Sequence, residues 1–186
     1  MSEYFFSGSS EAKLDEKGRF VVPQSMRYGL VENGKCEFVL GLGLGGCMAI
    51  YRPSVIQKIV EKFKKQQHIA HFQKFFTLFF STLHQTECDK LGRVMIPATL
   101  KQATGIKDRE EVMVVGVLDK IEVWPKAVYD RNLQTLLTGK NGDFSLGKMM
   151  EEAFALLSDA PETTHVVGTE GEKAQTLKSY MTPLHK

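Results

Sequence analysis

Residues 14–27 read LDEKGRFVVPQSMR, and residues 88–101 read CDKLGRVMIPATLK. Asp15 matches Asp89, Gly18 matches Gly92, Arg19 matches Arg93 and Pro23 matches Pro97, each pair 74 positions apart. The positions between agree in character: Phe20-Val21-Val22 against Val94-Met95-Ile96, and Met26-Arg27 against Leu100-Lys101. Self-similarity at a fixed interval marks two copies of one supersecondary unit. The local chemistry says what that unit is. Asp at the first position and Gly at the fourth suit a type I turn: the Asp side chain caps the turn backbone and Gly accepts the left-handed exit. Strands are expected before the turn, over 10–14 and 83–88, and after it, over 19–22 and 93–96. Pro23 and Pro97 have a fixed φ and no N–H, so they fit the first turn of a helix. Short helices are expected over 24–28 and 98–104.

The match extends outward. EFVLGLGLGGCMAIYRP at 37–53 corresponds to EVMVVGVLDKIEVWP at 111–125, with two extra residues in the first copy. This segment reads as a further hairpin. Gly41, Gly43 and Gly46 fit the letters of G-x-G-x-x-G, but strand-like Cys47-Met48-Ala49-Ile50-Tyr51 follows. A dinucleotide loop needs a helix there to hold the pyrophosphate. The second copy turns through Leu118-Asp119-Lys120 without those glycines. The Gly-rich stretch is therefore read as a loose hairpin with a bulge. No cofactor and no small-molecule substrate is expected.

Helices follow each hairpin. Pro53 opens the first, with Val55, Ile56, Ile59, Val60 and Phe63 at helical spacing. A second helical segment, 69–80, carries Phe72, Phe75, Phe76, Phe79 and Phe80, read as internal core, as a subunit interface, or as both. Pro125 opens the matching helix of the second copy. Leu146, Met149, Met150, Ala153, Phe154, Leu156 and Leu157 place a C-terminal helix within 139–158. Residues 159–186, with Pro161, Gly168, Gly171 and Pro183 among many Thr, Glu and Lys, are expected to form a flexible tail.

Composition bounds the function. Of 186 residues, 42% are hydrophobic and 25% charged, as in a soluble globular protein. No apolar run approaches the roughly 18 residues of a membrane span, and the N-terminal residues do not read as a signal peptide. Cys36, Cys47 and Cys88 form no C-x-x-C, which suggests a reduced, cytosolic chain without a disulfide framework. Of 24 basic and 22 acidic residues, five Lys and seven Asp or Glu lie from Gly139 onward. Residues 1–138 thus hold 19 basic and 15 acidic residues, a mildly basic body that permits binding to nucleic acid.

Few residues offer catalytic chemistry. His68 and His71 are spaced for one helical face, but no neighbouring carboxylate or Cys completes a metal site. No G-x-S-x-G frames a serine, and the chain is not expected to be an enzyme. The best site candidate is the repeated Asp-x-x-Gly-Arg. A turn explains Asp15, Gly18, Asp89 and Gly92 but gives no duty to Arg19 and Arg93. Duplicated Arg, with Lys13, Lys17, Arg27, Lys90 and Lys101 close in sequence, suits DNA, where Arg forks onto guanine and Lys meets phosphates. An ordinary Arg19–Asp15 ion pair is the competing reading, and the residues alone leave both open.

Taken together, D-x-K-G-R-x-x-x-P at 15–23, D-x-x-G-R-x-x-x-P at 89–97, Gly45-Gly46-Cys47-Met48-Ala49-Ile50-Tyr51, and Val115-Gly116 followed by Ile121-Glu122-Val123-Trp124 resemble the MraZ family of bacterial transcriptional regulators. The resemblance runs from about residue 4 to about 138. It implies two tandem SpoVT-AbrB-like units, 4–81 and 82–138, in an α+β, mainly β fold. Their swapped hairpins would form a double-split β-barrel with flanking helices. It also implies a homo-oligomeric ring that binds short repeats in double-stranded DNA upstream of the division and cell-wall gene cluster, its own gene included, in the cytoplasm at the nucleoid. The family's Asp-x-x-x-Arg maps onto Asp15 and Arg19 and onto Asp89 and Arg93, with Lys17 and Lys90 alongside and Gly18, Gly92, Pro23 and Pro97 shaping the turns. A ring touching several repeats gains effective concentration, ~10²-fold or more. The alternative class is an AbrB-like antitoxin whose tail grips a protein toxin.

Overall fold

The computed structural model describes residues 4–138 and 146–158. Residues 4–138 belong to one compact unit. Its first copy contains β1 (Ser9–Lys13), β2 (Arg19–Val21), α1 (Gln24–Gly29), β3 (Glu37–Leu42), β4 (Met48–Tyr51), α2 (Pro53–Gln66) and α3 (Gln73–Thr82). The second contains β5 (His84–Glu87), β6 (Arg93–Met95), α4 (Ala98–Thr104), β7 (Glu111–Val117), β8 (Lys120–Pro125) and α5 (Lys126–Thr138). The expected strands and short helices are present. The prolines differ slightly in role: Pro23 and Pro97 are the cap residues just before α1 and α4, with ψ of 138° and 147°, rather than members of the first turn. A residue's ψ in that extended range cannot belong to the helix it precedes.

Strand pairing exchanges the two copies. β1 pairs antiparallel with β7, and β5, its counterpart in the second copy, pairs with β3. β4 pairs with its own counterpart β8, and β2 with β6. Among the strands of the described residues, only the hairpins β3–β4 and β7–β8 stay within a copy. The six-stranded sheet therefore runs β1-β7-β8-β4-β3-β5, an order that reads the same from either end once the copies are swapped. A pseudo-twofold axis passes between Ala49 and Glu122 in the sheet and between Phe20 and Val94 in the separate β2–β6 ribbon. Among the described residues no pairing joins the edges β1 and β5.

This exchange produces a main core shared by both copies, beside a smaller cluster of Ala49, Tyr51 and Val55 within the first. Phe20, Val22 and Met26 from the first copy pack with Val94, Ile96 and Leu100 from the second, and all six are buried. Fully burying one such side chain contributes about 1.5–3 kcal/mol, and neither copy could bury this set alone. The N-terminal segment closes one end. Phe6 is buried, its backbone exchanges hydrogen bonds with Leu118, and Arg52 stacks 5.6 Å over its ring. Lys126 on α5 reaches Glu11 of β1 at 2.9 Å.

The Gly-rich stretch is a hairpin connection, as its strand-like sequel suggested. A 3₁₀ turn at Leu44–Gly46, rather than a simple bulge, links β3 to β4. Gly45 (φ 77°) has a reason that its own copy does not reveal: a Cβ there would come within 2.9 Å of the Trp124 ring from the other copy. The Phe-rich segment is not one continuous helix. A 3₁₀ turn at Ala70–Phe72 precedes α3, so His68 and His71 do not share a helical face. Phe63 of α2 touches the rings of Phe75, Phe76, Phe79 and Phe80. Phe79 is buried, whereas Phe75, Leu78 and Phe80 stay exposed, so α3 serves as core on one side only.

A second unit contributes α6 (Leu146–Ser158), a helix where the apolar spacing predicts one. The expected flexible tail, 159–186, lies outside the described residues. Among those residues no helix is long and apolar enough to cross a membrane, and no cluster of three His, Cys, Asp or Glu could hold a metal ion.

Candidate nucleic-acid interface

The two Asp-x-x-Gly-Arg turns are built alike. Gly18 N–H donates to the Asp15 carbonyl at 3.0 Å, and Gly92 N–H to that of Asp89 at 2.8 Å. The Asp15 and Asp89 N–H groups donate in turn to the Arg19 and Arg93 carbonyls, which ties each strand exit to its entry. Gly18 and Gly92 hold φ of 72° and 78°, the left-handed backbone that the glycines were expected to supply. Each Asp side chain then locks its turn. One Asp15 carboxylate oxygen accepts from the Lys17 and Arg19 N–H groups, both at 2.9 Å, and Asp89 does the same for Leu91 and Arg93. The Arg19 backbone N–H leads in holding the Asp15 carboxyl below the usual carboxylate range; burial opposes it, and the Arg19 guanidinium and Lys17 N–H assist. Asp89 is lowered in the same way, led by the Arg93 N–H.

The arginines form the ion pairs that the sequence reading left open beside DNA binding. Arg19 Nε donates to Asp15 Oδ2 at 2.7 Å, and Arg93 Nε to Asp89 Oδ2 at 2.7 Å. The turn closes without help from Arg, but the carboxylate already bound to two backbone N–H groups is a ready acceptor for a side chain four residues on. An exposed pair of this kind contributes little to stability. What it does is fix the direction of the guanidinium, which keeps further N–H donors.

The ribbon places the pairs on one face. Phe20 and Val94 point into the core, and Arg19, Val21, Arg93 and Met95 line the other side. Val21 is 48% and Met95 59% exposed. Arg19 lies opposite Met95 and Val21 opposite Arg93, so the arginines are diagonal neighbours about 7–8 Å apart. Beyond the ribbon ends, Ile96 N–H donates to the Gly18 carbonyl and Val22 N–H to that of Gly92, each at 3.0 Å. The two turns thus sit at opposite ends of one short ribbon.

The accompanying lysines are not equivalent. Lys17 and Lys90 are both exposed, but Lys17 aligns with Leu91 and Lys90 with Glu16. Glu16 pairs with Arg109 at 3.1 Å. Each turn also rests on a helix of the other copy: Gly18 on Lys101 of α4, and Gly92 on Arg27 of α1. Sequence reasoning could group Arg27 and Lys101 with the turns only as neighbours along the chain; the exchanged pairing assigns each to the opposite turn.

One juxtaposition escaped the sequence reading. Glu37 pairs with Glu87, and one step further the ladder brings Cys36 beside Cys88, near enough for each thiol to act on the other. Burial raises both, Cys88 to about 12. The only available signal was that each Cys directly precedes a residue of the β3–β5 register or its adjoining turn.

Known proteins resemble this chain over the same region. Residues 5–78 and 79–141 match the family described as "MraZ protein, putative antitoxin-like". A protein from Lachnoclostridium phytofermentans named "Transcriptional regulator MraZ" is 34% identical over 127 residues, 68% of this chain and 86% of that protein. One of the same name from Desulforamulus reducens is 32% identical over 127 residues, 68% and 85% respectively. With both tandem units matched in order, the chain belongs to the MraZ family.

Proposed function

We propose that this protein is a sequence-specific DNA-binding transcriptional regulator. The observation that carries the reading is the duplicated, aspartate-oriented arginine on the exposed face of the β2–β6 ribbon. A two-stranded ribbon fits the major groove. From Gly18 to the level of Gly92 the ribbon spans four residue steps, about 14 Å, against a groove about 12 Å wide. Arg19 and Arg93 would read guanine edges while Lys17 and Lys90 meet the flanking phosphates. Asp15 and Asp89 act by orienting the arginines.

The finer features follow the same reading. Residues 4–81 and 82–138 are the two units of a double-split barrel, and several copies form a ring on short repeats upstream of the division and cell-wall gene cluster, the protein's own gene included. The protein works in the cytoplasm at the nucleoid. The relatives named as transcriptional regulators support the general assignment. The antitoxin alternative, in which the tail grips a protein toxin, accords with the family's description and depends on a tail outside the described residues.

The test is fluorescence anisotropy with DNA from upstream of the protein's own gene and with a scrambled duplex. Arg19→Ala and Arg93→Ala should each lower the preference for the specific duplex by about 1–3 kcal/mol per lost bidentate contact, with unchanged thermal stability. Wild-type affinity in both variants would sink the reading.

A further inference from the structure

The pseudo-twofold relates the turns but not the charges beneath them. Under Gly18, the Lys101 ammonium is bound to Asp108 at 2.7 Å. A Cβ on Gly18 would meet Asp108 Oδ1 at 2.6 Å and Lys101 Nζ at 3.0 Å, so this ion pair lies directly against the first turn. Under Gly92, the counterpart cation is Arg27. A Cβ on Gly92 would run into Arg27 Nη1. The position equivalent to Asp108 is Gly34, which has no side chain to offer. Among the described residues no carboxylate pairs with Arg27, and its Nε is buried without a hydrogen-bond partner. The Arg27 terminal amino groups beside Gly92, with no carboxylate to offset their charge, are the ones that can take an anion.

We propose that Arg27 is a further phosphate-binding residue, serving the second turn, and that Asp108 suppresses the equivalent contact by Lys101 at the first. The two ends of the ribbon are therefore unequal: residues 89–93 with Arg27 grip the DNA backbone, and residues 15–19 with the Lys101–Asp108 pair grip it less. This inference rests on the DNA-binding reading and adds to it an assignment that the duplicated motif cannot provide. A phosphate oxygen supplies what the site lacks, since a phosphate accepts a bidentate Arg fork. The Lys101 charge, by contrast, is already offset by the Asp108 carboxylate, which also repels a second anion.

The test is the salt dependence of binding for Arg27→Gln, Lys101→Gln and Asp108→Asn, measured by anisotropy on specific and scrambled duplexes. Gln keeps most of the aliphatic stem, and a thermal melt confirms the fold. Arg27→Gln should weaken binding to both duplexes alike and reduce the slope of log K against log salt by about 1 per subunit contact. At 0.1 M salt, relative to 1 M, that slope corresponds to about an eightfold loss. Lys101→Gln should have a smaller effect, and Asp108→Asn should tighten binding and steepen the slope. Equal losses for Arg27→Gln and Lys101→Gln, or an unchanged slope in Asp108→Asn, would overturn the proposal. Failure of the underlying reading has a different signature: Arg19→Ala and Arg93→Ala would both bind like the wild type.

Discussion

Gly116→Ala tests how the N-terminal segment is held. Gly116 lies in β7, and a Cβ added there would come within 2.5 Å of the Ser7 nitrogen and 2.8 Å of the Phe6 carbonyl carbon. These are backbone atoms and cannot swing aside, so the segment must move. Three hydrogen bonds would be lost with it: Phe6 N–H to Leu118, Leu118 N–H to Phe6, and Gly116 N–H to Gly8. At about 0.5–1.5 kcal/mol each they contribute roughly 1.5–4.5 kcal/mol. Releasing buried Phe6 adds about 1.5–3 kcal/mol. The freed residues recover backbone entropy of about 1 kcal/mol or more apiece, which offsets much of this gross loss. The expected net destabilisation is about 2 kcal/mol. For a chain of this size that lowers Tm by roughly 4–8 °C. Differential scanning fluorimetry gives the shift, and hydrogen exchange should show lost protection at Phe6, Gly116 and Leu118. Gly147→Ala, with no atom near its added Cβ, is the control. A Tm within about 1 °C of wild type, with those amides still protected, would refute the reasoning.

Three further outcomes are expected. Asp15 and Asp89 have carboxyl groups lowered in the fold, so their stabilising effect is complete above the unfolded value of about 3.9 and is lost as pH falls through the lower folded value. An NMR acid titration should find Asp15→Asn and Asp89→Asn less stable than wild type at neutral pH, with the gap closing at low pH; a constant gap would contradict this. Diamide should join Cys36 to Cys88, seen as a loss of two thiols by mass spectrometry, faster at pH 9 than at pH 7 because burial raises both thiols. Labelling of both thiols at all diamide doses would count against their contact. Phe63→Ala should loosen α2 and α3, with up to about 3–5 kcal/mol at stake for a ring holding four others, and should leave exchange protection of the β2–β6 ribbon intact.

The turns were legible in the sequence because each needs only its own residues: Asp15 and Gly18 carry a local hydrogen-bond pattern, and the second copy repeats it. The strand and helix positions followed from the same repeat. The exchange of partners was available only through the family resemblance, because alternation within β1 or β5 fixes which face is buried and not which strand lies alongside. The same limit hid the Cys36–Cys88 contact, the assignment of Arg27 to Gly92, and the reason for Gly45, all of which join one copy to the other. The Arg19–Asp15 and Arg93–Asp89 pairs were visible as an option, but the turn rules do not rank them. They form because the carboxylate is already held in place by the backbone.

The exchanged pairing has a consequence for synthesis. Ser9 of β1 waits for Val115 of β7, about 100 residues further along the chain. At 5–20 residues per second the ribosome needs roughly 5–20 s to deliver that partner, far longer than the microseconds in which a local hairpin closes. For most of this interval the first copy has β3 and β4 but neither strand that flanks them, since β5 and β8 also belong to the second copy. Growing chains on one messenger each display that open edge, which invites pairing between neighbours. Polysome spacing and chaperone supply, rather than final stability, would then govern the yield of correctly paired protein.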